Sequence, residues 1–196
     1  MIGIVSTRTG IKQQLRRLMV FVDGENMVFN YQSTLKDNDR TAAIGVIHNE
    51  NTYVWHPHSF DFSGYEVIRV IYYTFCVGDD TKVEEVKSQI KKLSYVKDQN
   101  SVLPTYLRPS VFKKSKQGKK TKGVDIQMTV DILSNVFYDN VDTVLLVTGD
   151  GDFLPIVNEI IRTGKQVILA SFEKGLNKSL LNHIDDYIQL DKTYFK

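Results

Sequence analysis

Apolar and polar positions alternate along this chain in two rhythms. Largely apolar runs of strand length, Leu18 to Val22, Val67 to Val77 and Val144 to Val147, stand between stretches where apolar residues recur every three or four positions. Read in order, the pattern predicts strand 18–22, strand 66–77, helix 82–97, strand 102–107, helix 125–138, strand 143–148, helix 152–163 and strand 166–170. A short helix around Leu176 to Asn182 and an edge strand, Tyr187 to Leu190, follow. In the helix at 125, the residues Ile126, Val130, Leu133 and Phe137 form one stripe that is expected to face a sheet. Helix 82–97 offers Val86, Ile90 and Leu93. The next helix offers Phe153, Ile156, Val157, Ile160 and Ile161, with Gly164 as its stop. Residues 33–65 break the rhythm. They are polar, and the alternating pieces Ile44 to Ile47 and Thr52 to Trp55 flank Asn49-Glu50-Asn51, which predicts a β-hairpin insertion. Strand–helix alternation of this kind predicts an α/β fold with a mostly parallel central sheet and helices on both faces.

Length and composition narrow the class. With 196 residues, 42% hydrophobic and 24% charged, the chain suits one domain over 1–196 carrying the 33–65 insertion, and no apolar run has the roughly 20 residues that span a bilayer. A single cysteine, Cys76, lies within the apolar run before Val77 and is expected only to pack, which fits a reducing, cytoplasmic setting. Arg8, Lys12, Arg16 and Arg17, with no acid before Asp23, resemble a transit peptide superficially. Because they lead straight into the first strand, an exposed basic turn or helix is the expectation. Net charge is only +2. The lysines, however, are concentrated: Lys113, Lys114, Lys116, Lys119, Lys120 and Lys122 fall in one acid-free stretch, with Arg108 just before it.

The candidate chemistry is acidic. The strand 144–147 ends in Thr148-Gly149-Asp150-Gly151-Asp152, the first strand ends in Asp23-Gly24-Glu25-Asn26, and Asp125 opens a helix after the lysine stretch. Ligands of open α/β sheets collect outside the carboxyl ends of the strands, so these acids are expected on one edge. Carboxylates gathered there would repel one another unless a cation neutralised them. Oxygen donors without paired histidine or cysteine suit magnesium or manganese rather than zinc. Each acid also has a plain structural reading: Asp125 and Asp152 as helix caps, Asp23 as a strand-ending turn residue.

Asp23-Gly24-Glu25-Asn26, Lys122-Gly123-Val124-Asp125 and Thr148-Gly149-Asp150-Gly151-Asp152-Phe153, in this order and over nearly the whole chain, resemble the motifs of the NYN domain family, relatives of PIN-type nucleases. The resemblance implies a PIN-like three-layer α/β/α fold and a metal-dependent ribonuclease, with Asp23, Asp125, Asp150 and Asp152 as metal-site acids and Asn26 as the asparagine of the first motif. Thr148 stands where serine is common and keeps the hydroxyl. The 33–65 segment is longer than a minimal domain needs.

On that basis the expected chemistry is hydrolysis of RNA phosphodiesters at one or two Mg2+ or Mn2+ ions, with no protein nucleophile. Asn26 and Thr148 would orient a phosphate oxygen or a water, or else make local turn hydrogen bonds. Arg108 and the lysines would hold phosphates of RNA that is single-stranded or has unpaired regions. Tyr31, Trp55, His56 and His58 could stack on bases, but packing of the insertion is the first expectation. Asp131 lies about 120° around its helix from Asp125. Glu25, Asp139, Asp142, Asp185 and Asp186 read as surface acids. Exposed β edges near Tyr187 to Leu190 or in the 44–55 hairpin could pair two copies of the chain. A haloacid-dehalogenase-like phosphatase is disfavoured because Glu25 stands where a second Asp is needed. A dinucleotide site or a P-loop is disfavoured because neither glycine pattern is present. A non-catalytic RNA-binding or regulatory module is the alternative reading.

Overall fold

Six strands make the central sheet, and every neighbouring pair in it is parallel. The computed structural model describes residues 4–6, 12–37, 40–96, 105–114 and 122–196, with the backbone alone at 4–6, 12–14 and 122. The sheet strands are β1 (Arg16–Asp23), β2 (Tyr65–Val77), β3 (Arg108–Lys114), β4 (Thr143–Val147), β5 (Gln166–Ser171) and β6 (Asp186–Gln189). Their spatial order is β3-β2-β1-β4-β5-β6. Chain direction across the sheet therefore reverses between β1 and β4, and a cleft opens at such a switch point.

Alternating residues of β1 divide the core. Leu18, Val20 and Val22 belong to one face, Met19 and Phe21 to the other. The first face is covered by helices α1 (Gly24–Lys36) and α2 (Asp80–Ile90), the second by α3 (Lys122–Phe137) and α4 (Leu154–Arg162). A strand buried on both faces must be apolar throughout, which is why the central runs show no polar alternation. Each side chain withdrawn from water in this way contributes about 1.5–3 kcal/mol. At the amino end of the sheet Arg17 clamps Asp142, with Nε to Oδ2 at 3.0 Å and Nη2 to Oδ1 at 2.7 Å, tying β1 to the start of β4. Asp142 is thus more than a surface acid. Cys76 is buried and packs, as expected.

A hairpin is present, but its first arm is shifted from the expected Ile44 to Ile47: Ile47–Asn49 pairs with Tyr53–Trp55, and Asn49 lies in the strand rather than the turn. The hairpin belongs to the main core: Trp55 is fully buried with its indole N–H donating to the Ser94 carbonyl at 2.8 Å, and the Tyr72 hydroxyl lies 3.1 Å from the Val54 nitrogen. Tyr31 is buried too, stacked on Phe195. Tyr31 and Trp55 therefore pack the insertion rather than meet bases.

Several expectations need correction. The polar segment after β1 is a helix: α1 runs to Lys36, so residues 33–36 lie outside the insertion. Helix α2 ends at Ile90, short of 97. Of the strand expected at 102–107, residues 102–104 lie outside the described residues, Thr105–Tyr106 pairs with Ser94–Tyr95, and the sheet strand is Arg108–Lys114. Within the basic N-terminal segment, Ile4–Ser6 and Lys12–Gln14 pair as antiparallel strands rather than a helix, and Arg16 and Arg17 already belong to β1. The stripe of α3 is rotated. Val124, Met128, Ile132 and Val136 face the sheet, whereas Ile126 and Phe137 are 59% and 60% exposed, Val130 is also exposed, and only Leu133 is partly buried. Two apolar stripes coexist on this helix, one at steps of four and one at steps of four, three and four, and the first packs against the sheet.

Candidate functional site

The register aligns the ends of the strands. Asp23 pairs with Tyr73 and Tyr73 with Ser110, while Val22 pairs with Val147, so Thr148 comes level with Asp23 across the switch point. Asp23 ends β1 and caps α1: its Oδ1 accepts from the Asn26 backbone N–H at 3.0 Å. Its Oδ2 accepts from the Thr148 hydroxyl at 2.9 Å, and that hydroxyl accepts from the Asp150 N–H at 3.1 Å. The Asn26 carbonyl oxygen takes the Gly149 N–H at 2.9 Å and the Asn30 amide at 3.1 Å. Asp150 in turn caps the 3-10 turn Gly151–Phe153 through the Asp152 N–H at 2.9 Å. One unbroken chain of hydrogen bonds therefore runs from β1 to the loop after β4. It brings together Asp23, Asn26, Thr148, Asp150 and Asp152.

Asn26 and Thr148 are both engaged in this local network, which was the plainer of the two roles open to them. With its carbonyl oxygen committed twice, Asn26 has its amide N–H groups left for a ligand. Gly149 is demanded by packing against the chain itself, because a Cβ there would lie 2.5 Å from the Gly175 carbonyl oxygen, whereas a Cβ on Gly151 would lie 2.0 Å from the Asn177 side-chain amide nitrogen and displace that side chain.

Burial raises the Asp23 carboxyl from 3.8 to about 7, against the pull of the Asn26 N–H and the Thr148 hydroxyl, and the charges of Asp125 and Glu25 push it further in the same direction. Asp125 is thus near enough to act electrostatically on Asp23, from an exposed position in the first turn of α3. Asp131 instead accepts from the Tyr73 hydroxyl at 2.7 Å and bonds Gln127, two turns from Asp125. Among the described residues no three Asp, Glu, His or Cys side chains close into a ready-made metal cage. The oxygen donors on offer share an edge, with Asp23 buried, Asp150 half-buried, and Asp125 and Asp152 facing water.

The basic residues divide. Strands β2 and β3 run on past the level of Asp23, from Thr74 to Val77 and from Val111 to Lys114, as a wall beside the acidic edge. Lys114 lies at its end, 3.7 Å from the Glu25 carboxylate and 3.9 Å from the centre of the Phe75 ring. Lys113 bonds Asp80 at 2.8 Å. Arg108 starts β3, two positions behind Ser110, and so stands back from the edge. Lys122 opens α3, while Lys116, Lys119 and Lys120 lie outside the described residues. Sequence reasoning missed Phe29 and Asn30 on α1 and the segment Gly175 to Asn177, which line a cleft beside Asp150. Asn30 was findable, because it stands one helical turn after Asn26.

Fold and edge together define a PIN-like α/β/α protein whose carboxylates crown the switch point of a doubly wound sheet. The chain belongs to the NYN domain family, whose model matches residues 17–191. That membership suggests a nuclease-like function. A 71-residue stretch is 38% identical to the uncharacterized protein MJ0482 of Methanocaldococcus jannaschii, covering 36% of this chain and 30% of that protein, so the match spans less than a third of the relative's length. The crystal structure of a protein of unknown function, VPA0982 from Vibrio parahaemolyticus, superposes with a TM-score of 0.56 over 93% of this chain and 97% of that one at 18% identity, a likeness of fold. Among the described residues no helix is long and apolar enough to cross a membrane.

Proposed function

We propose that this chain is a metal-dependent ribonuclease that hydrolyses phosphodiester bonds at the edge formed by Asp23, Asp125, Asp150 and Asp152. The observation that carries the reading is the single hydrogen-bond chain that gathers Asp23, Thr148, Asp150 and Asp152 at the sheet edge, with the buried Asp23 carboxyl pushed up by burial and by the charges of Asp125 and Glu25. Such a carboxylate gains from a nearby cation, and the resemblance of the motifs to the NYN family implies a metal centre at this edge. All-oxygen donors on a partly hydrated edge fit Mg2+ or Mn2+, which keep several waters when bound.

Asp23 and Asp150, with Asp125 and Asp152 on the open side, would hold the ion. When bound, it supplies a water of lowered pKa and offsets charge on the scissile phosphate. The chain's own residues set the geometry. Thr148 fixes Asp23 and the Asp150 backbone relative to each other, and Asn26 fixes the turn at Gly149 and would orient a phosphate oxygen through its amide N–H groups. Lys114, on the projecting wall, adds positive charge where a strand would enter, and contacts of that kind position a nucleic acid without reading its sequence.

One observation favours a second reading, a non-catalytic RNA-binding module: the acids share an edge without closing into a cage. The test is incubation of end-labelled single-stranded RNA with Mn2+ or Mg2+. Cleavage that disappears with EDTA and in the Asp150→Asn/Asp152→Asn protein is the expected result. Retained RNA binding with no cleavage by the native protein would establish the module reading instead.

A further inference from the structure

Beside the acidic edge lies an open cleft of about 470 Å3 whose walls come from α1, the loop after β4 and the segment 175–177. The volume falls in the range of small-ligand sites. The loop Gly149 to Gly151 lines it, Asn26, Asp150 and Asn177 are its polar side chains nearest solvent, and Asn30 is buried with its amide donating to the Asn26 side-chain oxygen. The far wall is braced, because the Asn177 N–H donates to the Gly149 carbonyl at 2.8 Å. On the rim stands Phe29, 69% exposed, one helical turn beyond the Asn26 that holds Gly149. An exposed phenylalanine costs solvation and adds little to folding, and this one borders a polar cleft that opens onto the candidate cleavage edge.

A flat aromatic face at the rim with amide donors and acceptors behind it matches the chemistry of an unpaired nucleobase, which has a π-face and a hydrogen-bonding edge. A lone phosphate would use the amides and leave the ring unexplained. We infer that this cleft is a nucleobase subsite, in which Phe29 stacks on one unpaired base of the RNA and the Asn177 side-chain amide meets its edge. This rests on the nuclease reading for its RNA substrate; Asp150 belongs to both the cleft and the acidic edge, whereas Phe29 belongs to the cleft alone and can be tested apart from the acids. The subsite makes the preferred substrate single-stranded or locally unpaired, because a base inside a duplex has no free face for Phe29.

Fluorescence anisotropy with labelled 12-nucleotide single-stranded RNA, in EDTA so that nothing is cut, measures binding apart from chemistry. Phe29→Ala is expected to weaken binding about five- to a hundredfold, the range that base stacking supplies, while Phe29→Tyr stays near the native affinity. A series of oligonucleotides with one abasic position moved along the strand is expected to reveal a position that matters to the native protein and not to Phe29→Ala. Circular dichroism of Phe29→Ala should match the native protein. Equal affinity of native and Phe29→Ala proteins, or an abasic penalty unchanged by the substitution, overturns the subsite, as does the absence of RNA binding by the native protein. Phe29-dependent binding with no metal-dependent cleavage would keep the subsite and sink the nuclease reading. Cleavage with Phe29→Ala binding like the native protein would do the reverse.

Discussion

Asp23 carries a charge in a place that disfavours it, and that makes it the residue whose behaviour is easiest to check. Its folded-state pKa of about 7 stands above the unfolded 3.8, so the native protein holds this proton more tightly than the unfolded chain does. The contribution to stability is complete below the unfolded value and is lost as pH climbs through about 7. Between pH 5 and pH 8 the loss is roughly 3 kcal/mol. Asp23→Asn removes the buried charge. In metal-free buffer it is expected to melt above the native protein at pH 8, with the two converging toward pH 5. His48 and His56, both pushed down by burial, titrate identically in both proteins and cancel in the difference. Parallel melting curves across this range would show that Asp23 is not the titrating group.

At the scale of elements, the strands were the most legible part of the sequence. β1 and β4 are buried on both faces, so their apolar runs are unbroken, and the acids that end them were readable as strand-terminal residues on one edge. Helix α1 was not read, because Gly24, Asn26 and Asn30 are poor helix formers and only Met27, Val28 and Tyr31 face the core among its first turns. The signal was there in the capping Asp23 and the four-residue step from Met27 to Tyr31. Position β3 was misplaced because its edge strand is mostly half-exposed and runs into the lysine stretch, hiding any apolar pattern. Helix α3 was placed correctly and turned wrongly, since two apolar stripes compete and only the packing chooses between them. The observed face makes a prediction. Met128→Ala should cost about 2–5 kcal/mol in urea denaturation, as a deletion in the core does. Val130→Ala, on the exposed stripe, should stay within about 0.5 kcal/mol. Equal costs would mean that the exposed stripe is covered in solution.

For the whole molecule, the order β3-β2-β1-β4-β5-β6 decides where chemistry can sit. It parts the chain between β1 and β4, and the hydrogen-bond chain from Asn26 through Asp23 and Thr148 to Asp150 spans that gap. The overhang of β2 and β3 supplies a wall on one side, with Lys114, paired with Glu25, at its tip. The Phe29 cleft lies beside Asp150. The account stands on whether the acids between them take up a divalent cation. Isothermal titration of Mn2+ into the metal-free protein near pH 7.5 asks this without any RNA. One saturable binding event is predicted for the native protein, lost in Asp150→Asn/Asp152→Asn while the circular dichroism of the two proteins stays the same. No saturable binding, or equal binding by both proteins, would contradict a metal centre at this edge.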